Sequence, residues 1–421
     1  VFVADKLGVV RAYGFRWNGA AYEWVTNPSW SVDVGLDASK ASVLAGRNDL
    51  VYVLEDTLAA DRLHAINREN GSLLWSVNLG AGAGSSSPAF YDDGGNGIVY
   101  VGADRLYAVD ALVGGTATPI TTVTPAPGMI NSAPLIAGGN VYFLTSTARL
   151  WSVPVGTTTA TELIPDASIL TTIGASSMAR YDAAGADDYI FIATANKLYR
   201  YNFNGPVLSA PLTLGALATN FTNSTPLVDS AGNVFIGGAD GFLYGVNGTA
   251  TPMTAFAGPY NPVDGSGWPK KIGVGTAASS AAGSLAMDAN GLLYVPSLDD
   301  NLRRFGPAPA ACVDCDLYTA AQWPMFQYDV KHSGRNPNGA GHRAPITLWS
   351  KPTTTTSAPQ RTPVLGPVKT GYANGILYYT SGQFVYARDA ANGNPVWATP
   401  FDLLLLGNPS GGASPALLLA A

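Results

Sequence analysis

Two cysteines, Cys312 and Cys315, are the only thiols of the chain, and two residues separate them. Structural zinc takes four ligands, but the chain has no second cysteine pair and only three histidines. Covalent haem attachment needs a histidine directly after the second cysteine, where Asp316 stands. We therefore expect a short disulfide, which fits an oxidising compartment, with two free thiols as the alternative.

A second group of reactive residue types follows at Asp329, His332 and Arg335. A carboxylate that orients an imidazole can activate a serine nucleophile, but no Gly-x-Ser-x-Gly elbow accompanies this group. We expect a structural staple instead, in which apolar side chains cover a patch and polar side chains fix an irregular loop. The predicted staple consists of Trp323, Met325, Phe326, Asp329, His332 and Arg335. We assign no catalytic, cofactor-binding or metal-binding residue.

The composition indicates a protein with a large core and a nearly neutral surface. Of 421 residues, 47% are hydrophobic and 12% are charged, which excludes a disordered polyelectrolyte. The net charge is −6 and no run of Lys and Arg could neutralise phosphates, so we expect no nucleic-acid partner. No apolar stretch approaches the ~20 residues that cross a bilayer. Sparse charge with abundant small polar residues favours a secreted, cell-surface or periplasmic location.

One short motif recurs eight times with variations: a polar residue, any residue, Leu, an aromatic residue, any residue and Val. Five copies begin at residues 61, 104, 148, 196 and 241, at intervals of roughly 45 residues, the length of a four-stranded propeller blade. The other copies begin at residues 8, 301 and 383. His64 occupies the aromatic position of its copy, where Tyr107 and Trp151 stand in others, so we expect it to pack as they do.

Each copy has neighbours that predict the remaining strands of a blade. Ser-Pro and Ser-x-Pro sequences such as 87–88 and 132–134 precede a first strand, and an apolar second strand follows. Asn70-Gly71 and Asn392-Gly393 predict tight turns before a fourth strand. Trp75, Trp349 and Trp397 lie on those fourth strands and are expected to pack between blades. The aspartates of the loops at 229–233 and 288–291 predict hairpin turns rather than calcium sites.

The two chain ends each supply part of one blade. Residues 1–5 match a second strand, and residues 413–420 match the missing first strand. We expect the C-terminal strand to lie beside the N-terminal one and close the ring, which hides sheet edges. Exchange of that strand with a neighbouring molecule is the alternative, as is trimming from a longer protein. The residues expected at this junction are Val1, Phe2, Val3, Pro415, Leu417 and Leu419.

The repeats resemble the PQQ-type, quinoprotein-like eight-bladed β-propellers over nearly the whole chain. The most specific segment, residues 323–337, is similar to one that precedes the first blade in many secreted members. In this chain it lies late, inside a predicted insertion at residues 306–347 that also carries the cysteine pair. We therefore predict an all-β fold in which residues 1–421 form a single propeller of eight four-stranded antiparallel blades. A second propeller would need more residues than remain after this segment.

The resemblance implies a possible quinone cofactor above a calcium ion, held in the enzymes of the family beneath a pair of adjacent cysteines. Cys312 and Cys315 are not adjacent, so no cofactor residue can be transferred, and we expect neither PQQ nor calcium to bind. Many relatives are binding scaffolds, including outer-membrane assembly lipoproteins. The predicted function is an exported, non-enzymatic scaffold for other proteins or copies of itself, with filament formation by strand exchange as one form. The alternatives are a PQQ-dependent oxidoreductase and a propeller that binds cell-surface carbohydrate.

Overall fold

The structure is a computed structural model. It describes residues 2–4, 8–17, 22–24, 28–35, 43–46, 49–55, 61–80, 86–119, 121–122, 129–130, 132–147, 149–164, 177–182, 188–203, 207–215, 221, 224–258, 267–272, 284–297, 301–306, 346–352, 363–366, 374–381, 384–400 and 418–420. These residues form eight sheets and one separate hairpin. No helix that could cross a membrane occurs among them.

The first four blades follow one another along the chain, and neighbouring strands pair in order from the first to the fourth. Blade 1 contains β37 (Leu418–Ala420), β1 (Phe2–Ala4), β2 (Val9–Ala12) and β5 (Trp30–Asp33), while β3 (Phe15–Trp17) and β4 (Tyr22–Trp24) form the separate hairpin. Blade 2 contains β6 (Leu44–Ala45), β7 (Leu50–Glu55), β8 (Arg62–Asn67) and β9 (Leu73–Asn78). Blade 3 contains β10 (Ala89–Tyr91), β11 (Ile98–Gly102), β12 (Leu106–Asp110) and β13 (Gly114–Pro119). Blade 4 contains β15 (Leu135–Ala137), β16 (Asn140–Leu144), β17 (Leu150–Pro154) and β18 (Thr159–Glu162), with β14 (Thr121–Thr122) beside β18.

The second half of the ring repeats this pattern. Blade 5 contains β19 (Ala179–Asp182), β20 (Asp188–Thr194), β21 (Lys197–Asn202), β22 (Val207–Leu208) and β23 (Leu212–Thr213). Blade 6 contains β24 (Leu227–Val228), β25 (Asn233–Gly237), β26 (Phe242–Asn247), β27 (Thr254–Ala255) and β28 (Lys270–Lys271). Blade 7 contains β29 (Ala286–Met287), β30 (Leu293–Ser297), β31 (Asn301–Gly306) and β32 (Ile346–Pro352). Blade 8 contains β33 (Val364–Leu365), β34 (Ile376–Ser381), β35 (Phe384–Asp389) and β36 (Pro395–Pro400).

The prediction of an all-β, eight-bladed propeller is confirmed, and every copy of the sequence motif forms the third strand of its blade. Second strands such as β7 are buried along their whole length, whereas fourth strands such as β9 are largely exposed. This gradient is expected when sheets stand radially and bury both faces against neighbours. Blade 4 carries a fifth short strand, β14, whereas blades 5 and 6 each have two short strands in the fourth position. In blade 5 the fourth position is divided between β22 and β23, and Pro211 between them lacks the N–H that a continuous ladder needs.

The chain ends meet in blade 1. β37 pairs antiparallel with β1, so that Phe2 faces Ala420, Val3 faces Leu419 and Ala4 faces Leu418. Within the predicted strand 413–420, residues 413–417 lie outside the described residues, as does Val1. Pro415 and Leu417 are therefore among the residues that the structure does not describe. The ring is thus closed by one chain through its C-terminal strand.

Hydrogen bonds also connect the starts of successive first strands. Ser86 Oγ donates to the carbonyl of Ser132 (3.0 Å), which precedes the next blade. Ala133 N donates to Ser177 Oγ (3.0 Å), and Ser177 N donates to Thr225 Oγ1 (3.2 Å). These bonds join blades 3, 4, 5 and 6 in order. The hydroxyl groups of Ser86, Ser177 and Thr225, just before the first strands, therefore contribute contacts between blades.

Fourth-strand tryptophans connect the outer parts of three blade pairs. The indole N–H groups of Trp30, Trp75 and Trp349 donate to the carbonyls of Arg68 (2.8 Å), Leu112 (3.1 Å) and Ala390 (3.2 Å), respectively. Each acceptor lies in the turn between the third and fourth strands of the next blade. The prediction that Trp75 and Trp349 pack between blades is confirmed, whereas the side chain of Trp397 lies outside the described part of the structure.

A glycine is required in each of these turns because the indole ring lies directly against the backbone. A Cβ on Gly71 or Gly114 would come within 2.6 Å of the tryptophan ring, and one on Gly393 within 2.8 Å. All three also have positive φ, which glycine adopts without steric cost. Elsewhere an arginine makes the equivalent connection. Arg200 of blade 5 donates to the carbonyls of Gly248 and Ala250 in blade 6, both at 2.8 Å.

The predicted insertion falls between the third and fourth strands of blade 7. β31 and β32 pair directly, and Gly306 at the end of one faces Ile346 at the start of the other. Residues 307–345 lie outside the described residues, so the insertion at 306–347 stays a prediction. The same holds for the disulfide between Cys312 and Cys315 and for the staple of Trp323, Met325, Phe326, Asp329, His332 and Arg335.

Removal of residues 418–421 tests ring closure. Loss of β37 exposes the edge of β1, where Val3 and Ala4 are fully buried. Each backbone hydrogen bond lost costs about 1 kcal/mol, so we expect the free energy of unfolding to fall by at least about 2 kcal/mol. Urea denaturation monitored by tryptophan fluorescence measures the change, and removal of Ala421 alone is the control. An unfolding midpoint unchanged from that of the control would contradict closure by β37.

Candidate functional site

Exposed apolar side chains gather where the outer parts of blades 2 and 3 meet. Leu73 and Leu74 on β9 are 45% and 50% exposed, and Leu112 and Val113 in the turn after β12 are 42% and 60% exposed. Trp75 lies between the two pairs and is half-buried. We call these five residues the rim surface. Contiguous exposed apolar residues are uncommon on isolated proteins and typically mark binding sites.

Two hydrogen bonds hold the blade 3 turn against blade 2 and so fix the rim surface. Trp75 donates its indole N–H to Leu112 O at 3.1 Å, and the buried Tyr52 hydroxyl donates to Ala111 O at 2.9 Å. The centroids of the Tyr52 and Trp75 rings are 5.9 Å apart. The tertiary contacts therefore position the turn without covering Leu112 and Val113.

The rim surface continues onto a sheet edge. Among the described strands, β9 pairs only with β8. Leu79 N donates to Asp61 O at 2.8 Å, so these two opposite residues form a hydrogen-bonded pair. Hydrogen-bonded and non-hydrogen-bonded pairs alternate along an antiparallel ladder. His64 and Ser76 consequently face each other as a non-hydrogen-bonded pair. The backbone N–H and C=O groups of Ser76 and Asn78 point away from β8, where an added strand could pair with them.

A chain of polar side chains lies on the other face of blade 2, toward blade 1, because Ser76 and Trp75 are consecutive on β9 and point to opposite sides of the sheet. His64 Nε2 lies 3.0 Å from Glu55 Oε2, and His64 Nδ1 lies 2.7 Å from Ser76 Oγ. Glu55 and His64 are buried, whereas Ser76 is exposed. Because a carboxylate only accepts hydrogen bonds, Nε2 carries the proton and donates to Glu55. Nδ1 of the neutral ring then accepts from the serine hydroxyl.

The surroundings keep this imidazole neutral. Burial lowers the pKa of His64 below its ordinary value, against the opposing effect of Glu55. Gly35 of blade 1 approaches Glu55 so closely that a Cβ would lie 2.3 Å from Oε1. On the solvent side, Arg62 Nε donates to Asn78 Oδ1 at 3.0 Å. The group therefore has a buried end at Glu55 and an exposed end at Ser76.

The sequence placed His64 in an aromatic position and predicted packing, and the structure adds a polar role. In the equivalent position of blade 3, the Tyr107 hydroxyl donates to Asp104 Oδ1 at 2.7 Å. Sequence reasoning missed Glu55 and Ser76 as partners of His64. The available signal was the strand register, which sets His64 opposite Ser76, together with an acidic residue at the end of an apolar strand.

The two acidic loops are hairpin turns, as predicted. Asp229 Oδ1 accepts from Ala231 N (2.9 Å) and Asn233 N (2.7 Å). Asp288 Oδ1 accepts from Asn290 N and Leu292 N, both at 2.9 Å, and its Oδ2 accepts from the Tyr294 hydroxyl at 3.1 Å. Burial raises the pKa of Asp288 to about 6. Among the described residues, no three His, Cys, Asp or Glu side chains form a group able to hold a metal ion.

Sequence comparison agrees with this architecture. A family profile described as "Outer membrane protein assembly factor BamB" matches residues 27–150 and 59–251, which together span more than half of the chain. The protein belongs to this PQQ-type repeat family, and the resemblance inferred from its motifs is confirmed. No curated protein resembles it significantly over its sequence.

Solved structures share the fold at low sequence identity. BamB from Moraxella catarrhalis is 13% identical with a TM-score of 0.53, and the match covers 86% of this chain and 88% of that one. Quinohemoprotein alcohol dehydrogenase from Comamonas testosteroni is 13% identical with a TM-score of 0.50, over 86% of this chain and 66% of the enzyme. The computationally designed Ika8 protein is 12% identical with a TM-score of 0.52, over 89% and 94%. The structural neighbours thus include an enzyme and proteins that are not described as enzymes.

The buried Asp288 predicts a pH dependence of stability. Its pKa of about 6 exceeds the unfolded value of 3.8, so the native state binds more protons between these pH values. The contribution of this group to stability therefore falls as pH rises from about 4 to 6, by on the order of 2–3 kcal/mol. Asp288→Asn should abolish that fall because an amide does not titrate in this range, and its oxygen can still accept from the backbone N–H groups of Asn290 and Leu292.

Urea unfolding at pH 4.5 and pH 7 measures this difference between wild type and variant. Asp93→Asn is the matched control, since Asp93 Oδ1 accepts from Gly95 N and Gly97 N in the corresponding turn of blade 3 but is exposed. If the free energy of unfolding has the same pH dependence in wild type and Asp288→Asn, the raised pKa of Asp288 is contradicted.

Proposed function

We propose that the protein is an exported scaffold for protein–protein interaction and that the rim surface is one of its docking sites. The observation that carries this proposal is the combination of exposed apolar residues with a free strand edge on β9. Leu73, Leu74 and Val113 supply apolar contacts, and the backbone of Ser76 and Asn78 supplies hydrogen-bonding groups. Strand addition uses both kinds of contact, with main-chain bonds giving affinity and side chains giving specificity.

A second copy of the chain is the partner that we propose for this surface. Antiparallel pairing of β9 with β9 of another molecule is compatible with twofold symmetry, the commonest symmetry of protein dimers. Long-range repulsion between copies is small, because only 12% of residues are charged and the net charge is −6. The rim surface would then be covered by its own counterpart.

Export is supported by family membership and composition. The family profile carries the name of an outer membrane assembly factor, and BamB of Moraxella catarrhalis shares the fold. We propose on this basis a periplasmic, cell-surface or secreted location. The predicted disulfide between Cys312 and Cys315 is compatible with such a compartment.

Filament formation by exchange of β37 is a second proposed form of self-association. β37 is held to β1 through only three residue pairs, and it comes from the opposite end of the chain. A terminal strand with so short a pairing could occupy the same position on a neighbouring molecule. Exchange of this kind joins rings head to tail, whereas pairing through β9 gives closed dimers.

Self-association measured by analytical ultracentrifugation across a concentration series tests the rim surface. The double variant Leu74→Asp/Val113→Asp buries two charges in the proposed contact, so we expect its association constant to fall at least about tenfold. Val207→Asp is the matched control, because Val207 is 64% exposed on blade 5, outside the rim surface. A wild type that stays monomeric at high concentration would exclude self-association by either route.

The chain lacking residues 418–421 separates the two routes. If association persists in the truncated chain and is lost in the rim variant, docking through β9 is supported. Loss in the truncated chain alone supports exchange of β37. Equal association of wild type and rim variant would show that the rim surface does not bind a second copy.

We also propose that this binding function is independent of a quinone cofactor. The sequence separates its two cysteines by two residues, whereas the enzymes of the family hold the cofactor with an adjacent pair. Addition of PQQ with Ca²⁺ should therefore leave the melting temperature within about 1 °C of its value without ligand. A ligand at 100 times its Kd stabilises a protein by about 2.7 kcal/mol, so binding would be visible as a higher Tm. Ca²⁺ alone is the control, and a PQQ-specific rise in Tm would contradict the proposal.

A further inference from the structure

We propose that blade 2 carries an acyl-transfer site in which Ser76 is the nucleophile, His64 is the general base and Glu55 orients the imidazole. The substrate class is a small acyl ester that reaches the exposed face of β9. This inference goes beyond the proposed binding function and does not depend on it.

The geometry satisfies the requirements for an activated serine. The base lies 2.7 Å from the nucleophile oxygen, and the orienting carboxylate lies 3.0 Å from the other ring nitrogen. Both distances are within the hydrogen-bonding range that such catalysis needs. In this protein the serine contacts Nδ1 and the carboxylate contacts Nε2, so the two ring nitrogens exchange the roles that they have in serine proteases.

Burial differs along this chain of side chains in the way that the chemistry requires. Glu55 and His64 side chains are 7% and 4% exposed, whereas Ser76 is open to solvent. A substrate can therefore reach the serine oxygen, while water is largely excluded from the carboxylate and the imidazole. The Gly35 backbone covers Glu55 from blade 1.

Two polar side chains stand next to Ser76 on the same face of the sheet. Asn78 lies two residues along β9, and Arg62 faces Asn78 from β8. Arg62 Nε donates to Asn78 Oδ1, so this hydrogen bond does not use the amide NH₂ of Asn78. An amide N–H and a guanidinium in these positions could stabilise the oxyanion of a tetrahedral intermediate.

Serines at equivalent positions in blades 1 and 7 can be compared with Ser76 by the residue that each one faces. Ser31 and Ser350 follow Trp30 and Trp349, as Ser76 follows Trp75, and all three serines are exposed. The residue opposite Ser31 is Arg11, and the residue opposite Ser350 is Arg303. Ser350 Oγ donates to Asn301 Oδ1 at 3.3 Å. Of these three equivalent serines, only Ser76 faces an imidazole.

The chemical step balances without a further reactant except water. Ser76 Oγ bonds to the ester carbonyl carbon as its proton moves to His64 Nδ1, and the imidazolium is stabilised by Glu55. Collapse of the intermediate breaks the carbon–oxygen bond of the alcohol, which leaves with the proton from His64. Water then attacks the acyl-serine with His64 again as base, which releases the carboxylic acid and restores Ser76.

Reaction with an alkyl fluorophosphonate tests the proposal on the full-length chain. This probe phosphonylates activated serines with loss of fluoride, and peptide mass spectrometry locates the modified residue. We expect modification at Ser76 and not at Ser350, and loss of that modification in His64→Gln. Absence of modification at Ser76 above the level at Ser350 would overturn the proposal.

Hydrolysis of 4-nitrophenyl butyrate gives a second measurement. Ser76→Ala should lower kcat/KM at least about a hundredfold, and Ser350→Ala should leave it unchanged. Ser76→Ala also removes the donor to the buried His64 Nδ1, so kcat/KM is compared at a temperature well below the Tm of both proteins. A Ser76→Ala protein with wild-type kcat/KM would show that the hydrogen-bonded chain is only structural.

Glu55→Gln distinguishes positioning from a purely structural role. The carboxylate raises the pKa of His64, against the larger lowering by burial. With glutamine, the acid limb of the pH–rate profile should move to lower pH and kcat should fall. An unchanged pH–rate profile would remove Glu55 from the mechanism.

Discussion

Burial of both faces of every blade is the constraint on which this structure depends. Second strands such as β7 have no exposed residue, so a single sheet cannot satisfy them, and each blade needs a neighbour on either side. A closed ring supplies two neighbours to all eight sheets. β37 completes that ring by pairing with β1, and Val3 and Ala4 of β1 are fully buried at this junction. The junction is short, yet it determines whether blades 1 and 8 have complete packing.

Outer contacts between blades are formed by large side chains with a polar end. Trp30, Trp75 and Trp349 bury an aromatic ring against a turn and donate to its backbone carbonyl, and Arg200 does so with a guanidinium. Each of these bonds joins a side chain of one blade to the backbone of the next and so helps to position the turn that accepts it. At blades 2 and 3 the same contact leaves Leu112 and Val113 in solvent beside Leu73 and Leu74. Packing between blades therefore produces the rim surface.

The polar chain in blade 2 shows how repetition and divergence combine. Blade 3 places Tyr107 on Asp104, whereas blade 2 places His64 between Glu55 and Ser76. The register sets Ser76 opposite His64 in blade 2, whereas it sets Pro119 opposite Tyr107 in blade 3. The exposed serine lies on β9, which also carries Leu73 and Leu74. Binding and chemistry would thus share one strand.

The sequence by itself determined the strand repeats and the number of blades and indicated that Trp75 and Trp349 pack between blades, because these depend on local periodicity and turn residues. It also indicated that residues near 413–420 return to residues 1–5. Tertiary structure alone decided that Glu55, His64 and Ser76 meet, since strand register brings together residues distant along the chain. It likewise decided that the turn carrying Leu112 lies against Trp75, because that contact depends on the placement of one blade against the next. Residue type and spacing specify a strand, but only packing specifies which side chains stay exposed.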